Sequence, residues 1–511
     1  MKQRSLLLVT VDCLRADHAG FSGYPRPVTP FLDSLAPDSL VFSDAIVAGA
    51  PTYFSFPGIL ASRYPLTLGR DVLGIAPHEP TIATALREAG YSTAAFLAGN
   101  PYLSARFGYD QGFDRFHDSL DVFVGESDSA ERAAKRPLTN LNLQIQTGSR
   151  RTGLTAAVYD ELYFWYGQWR TAQEKISMDS LRRYPAADVM VDQACSWLSD
   201  LGGAPFFLWL HLMDPHHPYY PPDQALSWLG KSRITPRRAR FLNSFWNRGD
   251  VGVRRLQRFR DEIVSLYDAG VYWVDQQISR LVRALQDSRR WDETVLAVTA
   301  DHGEEFLEHG ARYHSPIGLP EQLIHAPLLL RAPEIAGKRL SQGAFSLIHL
   351  APTLLDGLGV PVPNSFQGRS RWEQISVGNL PDEPAIVECV EACNNPFRRE
   401  DRMRSRLLAV RSQTHKLVIN FRTKMEYFYD LKSDPEERTP LSPRALTRER
   451  AHLLQVAYQH IQNTAHKQNG DLRLRALLRD LLRDLQQSAI LQRGRTPAPA
   501  VPEKARGTTI P

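Results

Sequence analysis

The chain has 511 residues, 43% of them hydrophobic and 23% charged, a composition typical of a globular protein with one large and one smaller domain, or with two to four domains. Its 61 basic and 56 acidic residues leave a net charge of +5, too small an excess to indicate nucleic-acid binding. The four cysteines lack paired or metal-like spacing, the apolar run near the N-terminus is too short for a signal peptide, and no stretch approaches the roughly 20 apolar residues of a membrane helix. We therefore expect a cytoplasmic protein without a membrane or nucleic-acid partner.

The first predicted strand is Ser5–Val11, an apolar run that ends at Asp12. A carboxylate at the tip of a buried strand lies at the sheet edge where open α/β folds bind ligands. Thr29-Pro30 then opens a predicted helix that runs to Ala36.

The stretch Ala48–Pro65 leads from small residues through Thr52 into an apolar, helix-like segment. A hydroxyl at the start of a helix lies near its positive end, which favours both an alkoxide and an incoming anion. The residues alone equally allow Thr52 to be a simple N-cap, and on this stretch by itself the N-cap is the simpler interpretation.

A helix at Thr81–Gly90 and a strand at Ser92–Leu97 give a βαβ rhythm, which predicts a large, mostly parallel sheet covered by helices. Asn100 lies just past the end of that strand. The polar stretch 119–183 has helical periodicity without strand signals, so we expect a helical insertion or lid there.

A helix at Ala186–Leu201 and a buried strand at Pro205–Leu210 precede a loop that carries three histidines and an aspartate: His211, Asp214, His216 and His217. Packing alone does not account for such a group, although any one of the histidines could be an ordinary surface residue. The basic stretch 235–260 reads as a solvated, mobile excursion.

After a long amphipathic helix at Asp261–Gln286, the strand Val295–Ala300 ends in Asp301 and His302. Both side chains can reach one ion if the chain bends where the strand ends, and Gly303 permits that bend. A pair that caps the next helix is the alternative. Glu308, His309 and His314 follow this strand.

The pattern of predicted elements changes in the last part of the chain. We expect a strand at Ala326–Arg331 and a helix at Ser346–Leu358, then from Pro384 onwards short alternating strands that form a small antiparallel sheet. The expected division is a catalytic α/β domain at 1–375, a small β lobe at 376–441, a helical appendage at 442–490 and a disordered tail at 491–511.

Four segments together resemble the sulfatase branch of the alkaline phosphatase superfamily over roughly residues 5–441: Val11–His18, Asp214–Tyr219, Thr299–Glu304 and Tyr429–Glu436. The resemblance implies an α/β fold and a metal-dependent ester hydrolase. It also implies Asp12, Asp301 and His302 as metal ligands, with Thr52 as a metal-bound nucleophile. His216 and His314 would be catalytic groups, and Arg15, Asn100 and His217 would contact the substrate.

The departures from that family pattern bear on the reaction. Sulfatases carry a Cys or Ser that is oxidised to formylglycine, whereas this chain has Thr52, whose extra methyl group prevents that oxidation. A threonine ester has no second hydroxyl through which to eliminate sulfate, which favours phosphorus chemistry. Threonine-nucleophile members of the family are phosphodiesterases, phosphonate hydrolases and transferases, so we expect no formylglycine.

The expected function is hydrolysis of a small-molecule phosphoester, phosphodiester or phosphonate ester. Cys13 stands where sulfatases tend to have a carboxylate, which favours Zn or Mn over Ca or Mg. One ion is favoured over two, although Asp214, His216 and His314 could supply a second site. A sulfatase that works without formylglycine and a transferase to an alcohol acceptor are the alternatives, and the sequence does not indicate an oligomeric state.

Overall fold

A computed structural model describes residues 3–120, 152–170, 176–231, 233–335, 337–442 and 447–464, with short pieces at 145, 147–149, 478–480 and 482–483. A nine-stranded sheet lies at its centre. Its strands are β1 (Ser5–Val11), β2 (Leu40–Ile46), β3 (Ser92–Leu97), β4 (Arg115–His117), β5 (Phe206–Leu212), β6 (Thr294–Ala300), β9 (His325–Arg331), β10 (Lys338–Leu340) and β11 (Phe345–Ser346). They lie in the order β10–β2–β9–β6–β1–β5–β3–β4, with β11 paired to β2. Only β9 runs antiparallel to its neighbours, which confirms the predicted mostly parallel sheet.

The central strands are buried on both faces. Every residue of β1, β5 and β6 is buried, and the chain there reads as nearly continuous apolar sequence. That is the pattern expected of parallel strands covered by helices on both sides. Polar side chains are therefore placed at the strand ends.

Helices cover the sheet. They are α1 (Pro30–Leu35), α2 (Thr52–Ala61), α3 (Ile82–Glu88), α4 (Gly153–Arg170), α5 (Met178–Leu181), α6 (Ala187–Asp200), α7 (Asp223–Trp228), α8 (Pro236–Trp246), α9 (Val253–Leu256), α10 (Arg260–Asp287), α11 (Glu321–Ile324), α12 (Leu350–Gly357), α13 (Trp372–Val377), α14 (Arg399–Arg402) and α15 (Arg448–Thr464). Short 3₁₀ turns lie at Ala16–His18, Gly20–Ser22, Ala36–Asp38, Ala105–Phe107, Gln257–Phe259, Trp291–Glu293 and Leu347–His349. The long helix α10 packs against α6, and α4 and α5 are the described part of the predicted helical insertion.

The structure differs from the predicted elements at three places. The stretch 235–260 is not a solvated excursion, because α8 buries Ala239, Leu242 and Trp246 on one face. Its apolar residues recur at helical spacing, a signal that the surrounding arginines obscured. Strand β2 was not predicted, and the predicted helix at Ser346–Leu358 begins only at Leu350, after β11 and a 3₁₀ turn.

The predicted small antiparallel sheet is present. It consists of β12 (Ala385–Val390), β13 (Arg406–Arg411), β14 (His415–Asn420) and β15 (Met425–Asp430), and a two-stranded ribbon pairs β7 (Glu305–Phe306) with β8 (Arg312–Tyr313). Alternate residues of β13 point to opposite sides: Leu407 and Ala409 join the main core, whereas Leu408 and Val410 pack under α15. The predicted tail at 491–511 lies outside the described residues, and no described helix has the length and apolarity needed to cross a bilayer.

Candidate active site

Polar side chains converge at the carboxyl edge of the central strands. Asp12 follows β1, Asp301 follows β6, and Asn100 lies three residues beyond the end of β3. Strand β1 pairs with both β5 and β6 in parallel, so these strands all end at the same edge. This is the edge at which open α/β sheets bind ligands.

Thr52 is brought to this edge as the first residue of α2. Its Oγ1 lies 3.1 Å from Nε2 of His302, and its side chain is buried. The N-cap position belongs to Pro51, so the interpretation of Thr52 as a simple N-cap is wrong. Its hydroxyl faces the strand ends instead of capping its own helix.

Asp12, Asp301 and His302 form a fully buried cluster beside Thr52. His302 Nε2 lies 3.4 Å from Asp301 Oδ2 and 3.8 Å from Asp12 Oδ1. The Asp301 Oδ1 accepts from the backbone N–H of His302 at 3.0 Å, whereas Oδ2 is buried and has no hydrogen-bond partner among the described residues. Two buried carboxylates, one with an oxygen that lacks a partner among the described residues, are the donor set that a divalent cation would satisfy.

The two carboxylates differ electrostatically. Burial alone would raise the pKa of Asp12, but the neighbouring imidazoles of His216, His211 and His302 hold it well below its ordinary value. Burial and the negative charge of Asp12 raise the pKa of Asp301 instead. Two neighbouring buried carboxylates such as Asp12 and Asp301 oppose each other's ionisation unless a cation lies between them.

Two buried residues fix the orientation of Asp12. The Asn100 amide donates to Asp12 Oδ2 at 2.9 Å, and His211 Nε2 lies 3.3 Å from the same oxygen. The other His211 nitrogen, Nδ1, lies 2.9 Å from Thr10 Oγ1. Asn100 was expected to contact the substrate, but its observed contact is with Asp12, an expected metal ligand. The positioning role of His211 was missed, although this histidine is the sixth residue of an otherwise apolar strand.

The remaining histidines form a stack at the mouth of the site. The His216 ring lies 4.4 Å from the His217 ring and 5.0 Å from that of His314, and His217 lies 4.2 Å from Tyr313. Burial, together with His302 and His216, puts the pKa of His314 well below its ordinary value. The structure therefore brings all three predicted histidines together next to Asp12.

Arg15 and Asp214 are engaged elsewhere. The Arg15 guanidinium is buried. It donates to Asp17 and to Glu308, each at 2.6 Å, and to the Glu304 carbonyl at 3.0 Å. It lines a cavity of about 590 Å³ that does not include Thr52. Asp214 Oδ2 accepts from the Ala187 N–H at the start of α6 at 3.0 Å, and its buried Oδ1 has no hydrogen-bond partner among the described residues.

Gly303 is required for a reason other than the one predicted. A Cβ on this residue would lie 2.0 Å from the carbonyl oxygen of Gln322, so the neighbouring chain leaves no room for a side chain. The conformation itself is not left-handed. The tight contact, and not the bend, restricts this position to glycine.

Two further groups belong to this cluster: Cys13, which served in the sequence analysis only to infer the metal preference, and Glu304, which was missed. The Cys13 Sγ lies 3.1 Å from Asp12 Oδ1 and 3.4 Å from His314 Nδ1. Glu304 is fully buried, and its Oε1 lies 3.5 Å from the same His314 nitrogen. Their adjacency to Asp12 and to the Asp301-His302-Gly303 corner was the only signal in the sequence.

Comparison with known proteins gives consistent matches. Residues 4–360 match the family model described as Sulfatase, and residues 318–463 match the one described as N-sulphoglucosamine sulphohydrolase, C-terminal. Arylsulfatase K of Canis lupus familiaris is 24% identical over 286 residues, which make up 49% of this chain and 51% of that protein. The chain thus spans about half the length of these arylsulfatase K relatives.

Two further proteins are similar over most of their length. The multifunctional alkaline phosphatase superfamily protein PehA of Trinickia caryophylli is 23% identical over 507 residues, covering 86% of this chain and 92% of that protein. The solved structure of a phosphonate monoester hydrolase from Silicibacter pomeroyi has a TM-score of 0.63 and 20% identity, covering 90% of this chain and 95% of that one. At that identity the structural likeness shows the fold.

Proposed function

The chain belongs to the sulfatase family of the alkaline phosphatase-like superfamily, and from that premise we propose that this ester hydrolase cleaves a phosphoester, phosphodiester or phosphonate ester through a covalent bond to Thr52. The observation that carries the proposal is the placement of a threonine hydroxyl 3.1 Å from His302, beside two buried carboxylates. A small-molecule ester is the expected substrate.

The chemistry of threonine favours phosphorus. Formylglycine, the nucleophile of sulfatases, releases sulfate by elimination through a second hydroxyl on the same carbon. Threonine has no such hydroxyl, so its ester is cleared only when water attacks the transferred group. A phosphothreonine next to a cation turns over in this way.

The residues that would hold the cation are Asp12, Thr52, Asp301 and His302. When bound, a divalent ion there would lower the pKa of the Thr52 hydroxyl and neutralise the charge that develops in the transition state. The mixed oxygen and nitrogen donor set favours Zn or Mn, with Ca or Mg as alternatives.

The proposed reaction has two displacements. The Thr52 hydroxyl loses its proton to solvent as its oxygen forms a bond to phosphorus and the bond to the leaving alcohol breaks, and protonated His216 or His314 supplies the proton that this alcohol takes away. Water then forms the new bond to phosphorus and returns a proton to that histidine, while the threonine oxygen departs and takes up a proton from solvent, which regenerates its hydroxyl. Asn100 and His211 hold Asp12 in place throughout through their contacts with Oδ2.

The decisive test is intact mass spectrometry after a rapid acid quench of metal-loaded protein with a generic phosphodiester. Wild-type protein is expected to carry a phosphoryl adduct and Thr52→Ala none, with turnover reduced at least about 10³-fold. Thr52→Ser keeps the hydroxyl and is expected to retain the adduct. An adduct that persists in Thr52→Ala would refute the assignment of the nucleophile.

Sulfate ester hydrolysis without formylglycine is the second candidate. It is favoured by the match of residues 318–463 to a sulphohydrolase C-terminal model. Release of sulfate from an aryl sulfate, with no phosphoryl adduct and no turnover of any phosphoester or phosphonate, would replace the phosphorus proposal by this one. Product analysis with added alcohols separates hydrolysis from transfer to an alcohol.

A further inference from the structure

A second group of potential ligands adjoins the site described above. It consists of the Cys13 thiol, the Glu304 carboxylate and the imidazoles of His216 and His314, and is called here the thiol cluster. Cys13, His216 and His314 each offer a ligand atom, and these atoms all lie within 4.8 Å of one another. None of these side chains is needed to hold Thr52.

Distances within the thiol cluster match those of one coordination sphere. His314 Nδ1 lies 3.4 Å from Cys13 Sγ and 3.5 Å from Glu304 Oε1. Neighbouring ligand atoms on a tetrahedral zinc ion lie about 3.3–3.6 Å apart, given a Zn–S bond of about 2.3 Å and Zn–N and Zn–O bonds of about 2.0–2.2 Å. The His314 imidazole thus stands at that separation from both the thiol and the carboxylate.

Glu304 is the independent indication of a bound cation. Its side chain is fully buried, and neither carboxylate oxygen has a hydrogen-bond partner among the described residues. A buried carboxylate without donors is costly unless a positive charge compensates it. The His314 Nδ1 lies 3.5 Å from Glu304 Oε1, beyond good hydrogen-bonding distance.

The backbone of Cys13 is held in place at a conformational cost. Its φ is 61°, in the left-handed region that cysteine rarely adopts. Its carbonyl accepts from the Tyr267 hydroxyl at 2.9 Å, and its N–H lies 3.4 Å from Asp301 Oδ1. Strain of this kind persists where the surroundings enforce one orientation of a side chain, here the one that places the thiol between Asp12 Oδ1, at 3.1 Å, and His314 Nδ1, at 3.4 Å.

We propose that the thiol cluster binds a second, thiophilic divalent cation of the Zn type, separate from the ion expected between Asp12 and Asp301. Sulfur and imidazole ligands select such an ion, whereas the oxygen-rich position beside Thr52 admits harder ions. With both imidazoles engaged as ligands, this ion would take over from them the stabilisation of the departing alcohol oxygen. The proposal concerns binding and does not depend on whether Thr52 forms a phosphoester.

Cobalt loading of the 511-residue chain tests the proposal without substrate. Metal-free protein is titrated with Co²⁺, the bound metal is counted by elemental analysis, and the thiolate-to-cobalt charge-transfer band is followed in the near ultraviolet. Wild-type protein is expected to bind two equivalents and to show the band. Cys13→Ser is expected to lose the band and one equivalent, whereas Asp301→Asn loses the other equivalent and keeps the band.

Matched variants guard against indirect effects. Cys195→Ser changes a half-buried thiol on α6, far along the chain from the site, and is expected to keep both equivalents and the band. His314→Gln gives a second probe of the cluster and is expected to behave like Cys13→Ser, with native folding checked by circular dichroism.

Two results would overturn the proposal. One is a single equivalent in wild-type protein whose band disappears in Asp301→Asn, because Cys13 would then ligate the first ion. The other is two equivalents without a band. Since neither result involves turnover, each is distinguishable from failure of the phosphoester proposal.

Discussion

At the scale of single residues, Asn100 is the group whose removal isolates the positioning of Asp12. Its amide donates to Asp12 Oδ2 at 2.9 Å in a fully buried setting. A hydrogen bond to a charged group contributes about 1.5–3 kcal/mol, and groups that orient metal ligands typically change affinity by about 10–100-fold. Asn100→Ala is therefore expected to weaken metal binding by about that factor, measured by competition with a chelating dye.

The control for this prediction is Asn379→Ala, which removes an exposed amide. It is expected to leave the metal affinity unchanged. Equal affinities for Asn100→Ala and wild-type protein would show that Asp12 is held without the amide.

Cys13 is the residue at which metal preference can be redirected. Cys13→Asp places a carboxylate where sulfatases tend to have one, and aspartate tolerates the left-handed φ of 61° better than most residues. The added oxygen donors are expected to shift the preference from Zn²⁺ towards Ca²⁺ by at least about tenfold in the ratio of affinities. Competitive titration with the two ions measures this ratio, and an unchanged ratio would mean that residue 13 is not a ligand.

Residues that stand at the tips of apolar strands were predictable, and those that depend on tertiary contacts were not. Asp12, Asp301 and His302 are ends of strands that are recognisable from composition. The link from His211 to Asp12, by contrast, arises from the register of β5 against β1. A single sequence carries no direct record of that register.

At the scale of elements, α8 offers a test of whether the stretch after Thr235 belongs to the core. Leu242 is fully buried on this helix. Truncation of a buried leucine costs about 2–5 kcal/mol, so Leu242→Ala is expected to lower the free energy of unfolding by that amount in urea titrations. Arg237→Ala, on the exposed face of the same helix, is expected to change it by less than about 0.5 kcal/mol.

A loss below about 1 kcal/mol in Leu242→Ala would contradict this packing and restore the interpretation of the stretch as a solvated excursion. Hydrogen exchange over 236–246 gives a second measurement, with protection expected for the folded helix.

Element prediction failed where the sequence pattern was locally mixed. Strand β2 has two partly exposed residues, Ser43 and Asp44, in its middle, and its pairing with β9 shifts register there. The pattern therefore lacks both clean alternation and a continuous apolar run. In α8 three arginines cluster in the first half of the helix, although the buried positions recur at helical spacing.

At the scale of the whole molecule, the small sheet supports the segment that carries Thr52. The Glu388 N–H of β12 donates to the Ala48 carbonyl at 3.1 Å, and its carboxylate accepts from the Leu66 N–H at 3.0 Å. These contacts bracket α2 on both sides. His460 of α15 lies 3.2 Å from the same carboxylate, which links the C-terminal helix to the active-site segment.

Glu388 gives this link a defined pH dependence. Burial alone would raise the pKa of Glu388, but Arg406 and His460 lower it from 4.5 to about 2. A lowered carboxyl pKa stabilises the folded state fully above the unfolded value, and that stabilisation is lost as pH falls from about 4.5 through about 2. The shift corresponds to about 3 kcal/mol.

Glu388→Gln is therefore expected to lower the free energy of unfolding by up to about 3 kcal/mol near neutral pH, and by progressively less as the pH falls from about 4.5 towards 2. Urea titrations at about pH 7, 5 and 3 measure the difference. Glu400→Gln, at an exposed position, is the matched control. A difference that stays constant with pH would show that the charge of Glu388 does not contribute.

The strand order also determines when, during synthesis, the central strand can pair with its neighbours. Strand β1 is made first and lies in the middle of the sheet, yet its partners β5 and β6 begin only at Phe206 and Thr294. Translation at about 5–20 residues per second takes roughly 10–40 s to reach the first of them. During that interval the nascent chain carries an apolar segment without partners, so we expect its synthesis to depend on chaperones. Asp12 can meet Asp301 only once more than half of the chain has been made, which makes metal acquisition a late event in biogenesis.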